Sequence, residues 1–164
     1  MVREYETEEF VKVFFERTKL VLEQYDQMVQ NKPECFEAYE ITLLCNCLLG
    51  LLVFPKEKFY QSINNSMLSE ENLYRLRNCL VDRNITKSNL RSILQRMRNA
   101  VSHQNVRFVG GSDGEIHSIA FYDDQNWCKK SDDLSTYEFQ LVIEPDVLRP
   151  ILIEFCENVI ERRK

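Results

Sequence analysis

The sequence lacks most of the glycine-containing motifs that identify large enzyme classes. It has no GxxxxGKS/T phosphate-binding loop and no GxGxxG turn after a predicted strand. Its one match to GxSxG, residues 110–114, lies in a predicted hairpin turn rather than between a strand and a helix. These motifs supply the phosphate cradle, the dinucleotide site and the serine nucleophile of the enzymes that carry them. The first two motifs are absent and the third lies in the wrong local structure, which argues against nucleotide hydrolysis by a P-loop, nicotinamide chemistry and serine hydrolysis.

Residues that commonly bind metal ions are scarce or badly spaced. The chain has only two histidines, and none of its six cysteines belongs to a CxxC or CxxxH pair. Cys45 and Cys47 are two residues apart on a predicted helix, so they point to different sides of it. We therefore expect no metal site and no cofactor. Four of the six cysteines lie in predicted apolar helices, where we expect reduced thiols that serve as small core residues.

No segment is long and apolar enough to predict a membrane span. The longest apolar run covers residues 41–54, and Thr42, Asn46 and Gly50 interrupt it. A spanning helix needs about 20 predominantly apolar residues. The first residues also lack the basic stretch and apolar core of a signal peptide. We expect a cytoplasmic protein that makes no membrane contact.

Charge is distributed unevenly along the chain. The 164 residues contain 21 Lys+Arg and 26 Asp+Glu, a net charge of −5. Residues 83–107 contain six cations and no acid, so they carry +6 and the remainder carries −11. The six are Arg83, Lys87, Arg91, Arg96, Arg98 and Arg107. This basic segment is interpreted either as a solvated helix face or as a local phosphate-binding patch.

The length and the apolar periodicity predict one mainly α-helical domain over residues 1–164. We expect helices over about 7–30, 33–53, 69–81, 86–103 and 145–162, with Ser69 and Thr86 as caps of the third and fourth. Alternating residues and a glycine-rich turn predict a small antiparallel sheet within 106–143, before the last helix. His117 falls in this sheet, where it is interpreted as a surface strand residue.

The fourth predicted helix contains the residues best suited to chemistry. Its apolar stripe consists of Leu90, Ile93, Leu94, Met97 and Val101. On a helical wheel, Arg96, Asn99 and His103 lie away from that stripe, while Arg98 lies at its edge. A histidine exchanges protons near neutral pH, and an arginine matches the oxygens of a phosphate. The segment therefore has the parts for phosphodiester cleavage without a metal ion.

The wheel leaves open which arginine acts with His103. Arg98 and His103 lie about 140° apart on a regular helix, so they converge only if the helix unwinds near Ser102 or if the long arginine side chain reaches around. Arg96 shares a stripe with His103 and is the better-aligned partner. We predict that Arg98 is nevertheless the catalytic cation, because partial shielding from water strengthens its attraction to a developing phosphorane.

The pattern Arg98-Asn99-x-x-x-His103 on the fourth helix resembles the signature of the HEPN (higher eukaryotes and prokaryotes nucleotide-binding) superfamily. The resemblance implies a bundle of about five helices, commonly a homodimer in which two motifs face one another. In many members it also implies a metal-independent endoribonuclease that serves as a toxin, in phage defence or in RNA processing. Some HEPN toxins carry a modifiable tyrosine two residues after the histidine, where this chain has Asn105.

The resemblance implies a role for each residue of this chain that matches a position of the family motif. Arg98 would stabilise the phosphorane, Asn99 would orient groups at the site and His103 would transfer the proton. The remaining cations expected to bind RNA phosphates are Arg96, Arg91, Lys87 and Arg107.

The expected partners are a second copy of the chain, an RNA substrate and, for a toxin, an antitoxin protein. Two other interpretations stay open. One is a HEPN module that binds nucleotide, RNA or a protein partner through a basic dimer cleft without cleavage. The other is a purely structural dimer subunit.

Overall fold

The structure is a computed structural model that describes residues 7–31, 40–53, 57–81, 89–110, 116–124 and 136–162. Within these residues it is mainly helical, with a three-stranded sheet between the fifth and sixth helices, as the sequence predicts. The helices are α1 (Thr7–Asn31), α2 (Glu40–Val53), α3 (Glu57–Ser62), α4 (Glu70–Asn78), α5 (Leu90–Ser102) and α6 (Pro145–Glu161). The strands are β1 (Val106–Gly110), β2 (Ile116–Asp123) and β3 (Phe139–Ile143).

The sheet is antiparallel with the order β1-β2-β3. Side chains alternate between its two faces. Ile119, Phe121 and Leu141 lie on one face and belong to the same buried core as the helices. Ala120 and Tyr122 lie on the other face, in a second and smaller apolar cluster. The first face therefore fixes the sheet against the helical body.

Helix α5 packs against α2, α3 and β2. The apolar stripe expected from the sequence faces the core, since Ile93, Leu94 and Met97 are buried and Val101 is packed against the core. Burial of this stripe sets the rotation of α5 about its axis, because turning the helix would expose apolar surface to water. The rotation in turn decides which motif side chains reach the surface.

Two predicted helix ends differ from the observed ones. Helix α4 begins after its predicted cap Ser69 but ends at Asn78 rather than at residue 81. The next residues pair with the edge of β3: Val81 N donates to Gln140 O at 2.9 Å, and Val142 N donates to Cys79 O at 2.9 Å. The backbone groups that would continue the helix are thus used by the sheet.

The start of α5 also corrects the expectation. The helix begins at Leu90, and Asn89 is its N-cap, with Oδ1 accepting from Ser92 N at 2.8 Å. Thr86, the predicted cap, lies outside the described residues. So do the predicted helical segment 33–39 and most of the turn between β1 and β2.

A short helix between α2 and α4 was not predicted. Helix α3 has six residues and is followed by a 3₁₀ turn at Asn65–Met67. It buries Phe59 and Tyr60 almost completely. Six residues are too few for a periodic apolar pattern to stand out, so tertiary packing decides this element. None of the described helices is long and apolar enough to cross a membrane.

Candidate functional site

The buried stripe of α5 leaves two motif side chains, Arg98 and Asn99, at one surface cleft. Ser92, Gln95, Arg96, Arg98 and Asn99 line a polar, open depression of about 280 Å³. Two guanidinium groups and two amides at its wall favour an anionic ligand with several oxygen acceptors. The cleft therefore has the chemistry expected for a phosphate group.

Arg98 is held at the cleft by an aromatic ring. Its Cζ lies 5.2 Å from the centroid of the Tyr60 ring. Tyr60 is only 1% exposed, and its hydroxyl donates to Leu52 O at 2.5 Å, which fixes the ring. The ring face attracts the cation and excludes water from one side of it. Arg98 is therefore half-buried and oriented, as its position at the edge of the apolar stripe led us to expect.

Arg96 and Asn99 contact a buried carboxylate. Asp123 Oδ2 accepts from Arg96 Nη1 at 3.0 Å and from Asn99 Nδ2 at 3.3 Å. The Asp123 side chain is 3% exposed. Arg96 Nη2 also lies 3.6 Å from Glu138 Oε2, in the segment just before β3. The two acids that contact Arg96 thus lie in the inserted sheet or directly before one of its strands.

Asp123 was not among the residues expected at the site. It is the last residue of β2 and pairs with Phe139. Ile119 and Phe121 alternate toward the core, and the same period of two places Asp123 on that face. Extending the alternation by one residue would have predicted a buried acid opposite the helices.

His103 lies where α5 ends. It is the C-cap residue with φ −98°, half-buried, and its N–H donates to Asn99 O at 2.9 Å. Gln104 follows with φ 59°, in the left-handed region, and turns the chain toward β1. Helix α5 therefore ends at Ser102. This is the position near which the helix would have to unwind for the side chains of Arg98 and His103 to converge. His103 does not line the cleft that Arg98 and Asn99 share.

The other predicted phosphate-binding residues are spread around this region. Arg91 is half-buried on α5, and Arg107 is exposed on β1. Lys87 lies outside the described residues. His117 is exposed on β2.

The described cysteines do not supply nucleophiles or metal ligands to this region. Burial raises the pKa of the Cys45 thiol to about 11 and that of the Cys156 thiol to about 12, and it also raises the pKa of Cys47 and Cys79. All four are free thiols. Cys35 and Cys128 lie outside the described residues. Across the part of the chain that the structure describes, no three His, Cys, Asp or Glu side chains are grouped to hold a metal ion.

Comparison with known proteins supports the resemblance carried by the motif. Neither the curated proteins nor the solved structures include a significant match. A family model described as HEPN pEK499 p136 matches residues 2–164, which is nearly the whole sequence. With an Arg98-Asn99-x-x-x-His103 motif at the end of a buried helix and a helical body around it, the chain belongs to this HEPN family.

Proposed function

We propose that this protein is a metal-independent endoribonuclease of the HEPN type, formed by one domain over residues 1–164. The observation that carries the proposal is the stacking of Arg98 on the buried Tyr60 ring, at a cleft that Asn99 also lines. A cation that is oriented and partly shielded from water stabilises developing negative charge better than a freely hydrated one. Membership of the HEPN family makes RNA the expected substrate.

The proposed reaction is an attack by a ribose 2′-oxygen on the adjacent phosphorus atom. His103 accepts the 2′-hydroxyl proton, and Arg98 binds the oxygens of the phosphorane. The bond between phosphorus and the 5′-oxygen then breaks, and that oxygen takes up a proton. The products are a 2′,3′-cyclic phosphate and a 5′-hydroxyl.

The proton for the leaving oxygen calls for a second acid. One His103 cannot begin the reaction as base and also be protonated for the leaving group in the same step. We therefore propose a C2 homodimer in which His103 of a second subunit acts as the acid. His103 would then lie close to the symmetry axis.

Phosphates on either side of the cleaved bond would bind to Arg91, Lys87, Arg107 and Arg96. Of these, Arg91 and Arg107 are described by the structure and do not line the cleft. Arg96 contributes less attraction, because the carboxylates of Asp123 and Glu138 already balance its charge. In this role the protein would act in the cytoplasm as a toxin or a phage-defence effector, with an antitoxin protein as its regulator.

Purified protein incubated with total RNA in excess chelator tests the proposal. We expect cleavage that persists in chelator, leaves 2′,3′-cyclic phosphate ends and disappears in the His103→Ala variant. RNA that stays intact, or cleavage that needs added magnesium or manganese, would contradict the mechanism. An Asn31→Ala variant, changed at an exposed residue at the end of α1, is the control for preparation and contaminating nucleases.

A second candidate is a HEPN module that binds nucleotide, RNA or a protein partner without cleaving RNA. The placement of His103 favours it, because the cleft collects Arg96, Arg98 and Asn99 but not the histidine. In that case Arg98→Ala weakens binding and His103→Ala leaves it unchanged. Direct binding measurements with both variants separate the module from the enzyme.

A further inference from the structure

We propose that Asp123 is a positioning residue of this site, which fixes the side-chain amide of Asn99 in one orientation. The inference rests on the proposed ribonuclease function, since it assigns a role to Asn99 in that reaction. The observation behind it is that Asp123 and Asn99 are 24 residues apart in sequence but share a hydrogen bond of 3.3 Å between Nδ2 and Oδ2.

The acceptor-only character of an ionised carboxylate determines how Asn99 must face it. An asparagine amide has an NH₂ donor group on one side and a carbonyl oxygen on the other. A carboxylate has no hydrogen to donate, so only the NH₂ group of Asn99 can approach Asp123 favourably. The Oδ1 atom is consequently directed away from Asp123. The orientation of the Asn99 side-chain amide is thereby fixed by the acceptor oxygen of Asp123.

The orientation gives Asn99 a definite function. With its NH₂ group held by Asp123, Asn99 offers the Oδ1 acceptor to a ligand in the cleft that it lines. A ribose 2′-hydroxyl is a donor as well as an acceptor. Asn99 Oδ1 can therefore accept the hydroxyl hydrogen and hold the 2′-oxygen in place until His103 takes the proton. This distinguishes a ribose from a deoxyribose at the cleavage site.

Burial restricts the motion of the Asp123 side chain. A carboxylate that is 3% exposed is costly unless it is paired and hydrogen-bonded. Arg96 supplies the opposite charge, at 3.0 Å from the same oxygen that accepts from Asn99. The ion pair with Arg96 therefore holds the Asp123 carboxylate in place, and Asp123 in turn orients Asn99. The three side chains connect the motif helix to the end of β2.

The inserted sheet thereby gains a role at the site. Asp123 is the last residue of β2, and Glu138, the second carboxylate near Arg96, immediately precedes β3. Asp123 reaches α5 because the core-facing side of the sheet packs against that helix. A change in the packing of the sheet would therefore alter the orientation of Asn99 and with it the turnover of RNA.

Kinetics of four variants test the inference. Asp123→Ala removes the acceptor, so we expect kcat to fall on the order of 10-fold while KM changes little. Asp123→Asn can present its amide oxygen to both donors and should keep kcat within about 3-fold of the unmodified protein. On an Asn99→Ala background, Asp123→Ala should cause no further loss of kcat, because the residue acts through Asn99. Glu157→Gln also removes a carboxylate from an ion pair, with Lys19 of α1, but it lies outside the site and should leave kcat unchanged.

A second measurement does not depend on activity. By NMR of the unmodified protein, one Nδ2 hydrogen of Asn99 should exchange with water more slowly than those of the exposed Asn31. Equal exchange of the two side chains overturns the inference, even if Asp123→Ala does not fold. An unchanged kcat in Asp123→Ala, or an equal loss with and without Asn99, also overturns it. If the unmodified protein cleaves no RNA, the proposed function fails, and slow exchange at Asn99 still supports the Asp123–Asn99 contact.

Discussion

Two arginines two positions apart on α5 have different surroundings. Arg98 stacks on a buried aromatic ring, whereas Arg96 forms ion pairs with Asp123 and Glu138. A cation already paired with two carboxylates has less attraction left for a phosphorane. The ring beneath Arg98 instead shields one side of its guanidinium group from water. The structure thus gives a physical reason to assign different roles to the two residues, which the helical wheel by itself could not separate.

The corresponding variants should differ in the step that they impair. Arg98→Ala should lower kcat by on the order of 10²-fold or more with RNA binding largely kept. Arg96→Ala should weaken RNA binding, with a salt-dependent effect, and should lower kcat by no more than Asp123→Ala does, because Arg96 acts on turnover only through Asp123 and Asn99. Single-turnover cleavage and binding titrations at two salt concentrations measure both. The assignment fails if Arg98→Ala cleaves at the parental rate while Arg96→Ala is inactive at saturating RNA.

Tyr60 offers a test of the stacking contact that leaves the motif intact. Tyr60→Leu removes the ring beneath Arg98, so we expect kcat to fall by about 3- to 10-fold, the value of a partly shielded cation–π contact. Tyr60→Phe keeps the ring but loses the hydrogen bond to Leu52. It should cost about 0.5–1.5 kcal/mol of unfolding free energy and leave kcat near that of the unmodified protein. Equal kcat values for the two variants would show that the ring does not position Arg98.

The buried thiols predict how stability depends on pH. The pKa of Cys156 is raised from 9.0 to about 12 because burial disfavours the thiolate. Above about pH 9 the unfolded chain loses this proton while the folded chain keeps it, so the free energy of unfolding falls as pH rises. Urea unfolding at pH 8, 9 and 10 should show a smaller decline for Cys156→Ala than for the unmodified protein. Identical declines would mean that Cys156 ionises equally in both states.

Whether a helix could be predicted from the sequence depends on how strong its apolar periodicity is. Helix α5 has five apolar residues at helical spacing, and this pattern specifies its buried face without knowledge of the neighbours. Helix α3 has no such pattern, and its Phe59 and Tyr60 are buried because α1, α5 and α6 surround them. The ends of elements depend on partners as well. Helix α4 stops early because the next residues pair with β3.

The contact between α1 and α2 depends on a residue without a side chain. A Cβ atom at Gly50 would clash with the tip of the Phe14 ring. We expect Gly50→Val to destabilise the protein by about 1–3 kcal/mol, because the helices must separate or the ring must move. Asn46→Val is the matched control. Asn46 is exposed on the same helix, and this change introduces the same β-branched side chain there without a close neighbour. Urea unfolding of the two variants gives the comparison, and equal stabilities would refute the close approach.

For the whole molecule, the proposed mechanism requires two subunits to form one site. We expect light scattering at micromolar concentration to give twice the chain mass of 19.6 kDa. Excess His103→Ala protein should also lower the activity of the unmodified protein, because mixed dimers contain only one proton-transferring histidine. Excess albumin is the control for nonspecific effects. A monomer, or unmodified protein whose activity survives proven subunit exchange, would contradict a shared site.

The sequence by itself determined the helical class, the buried face of α5, the inserted sheet and the HEPN motif, because each depends on local periodicity or on spacing within one segment. Tertiary structure alone decided that Tyr60 supports Arg98 and that Asp123 holds Asn99 and Arg96. These partners lie 38 residues before Arg98 and 24 residues after Asn99 in the chain. A pattern within one segment carries no information about such pairs, since only the folding of α3 and β2 against α5 brings them into contact.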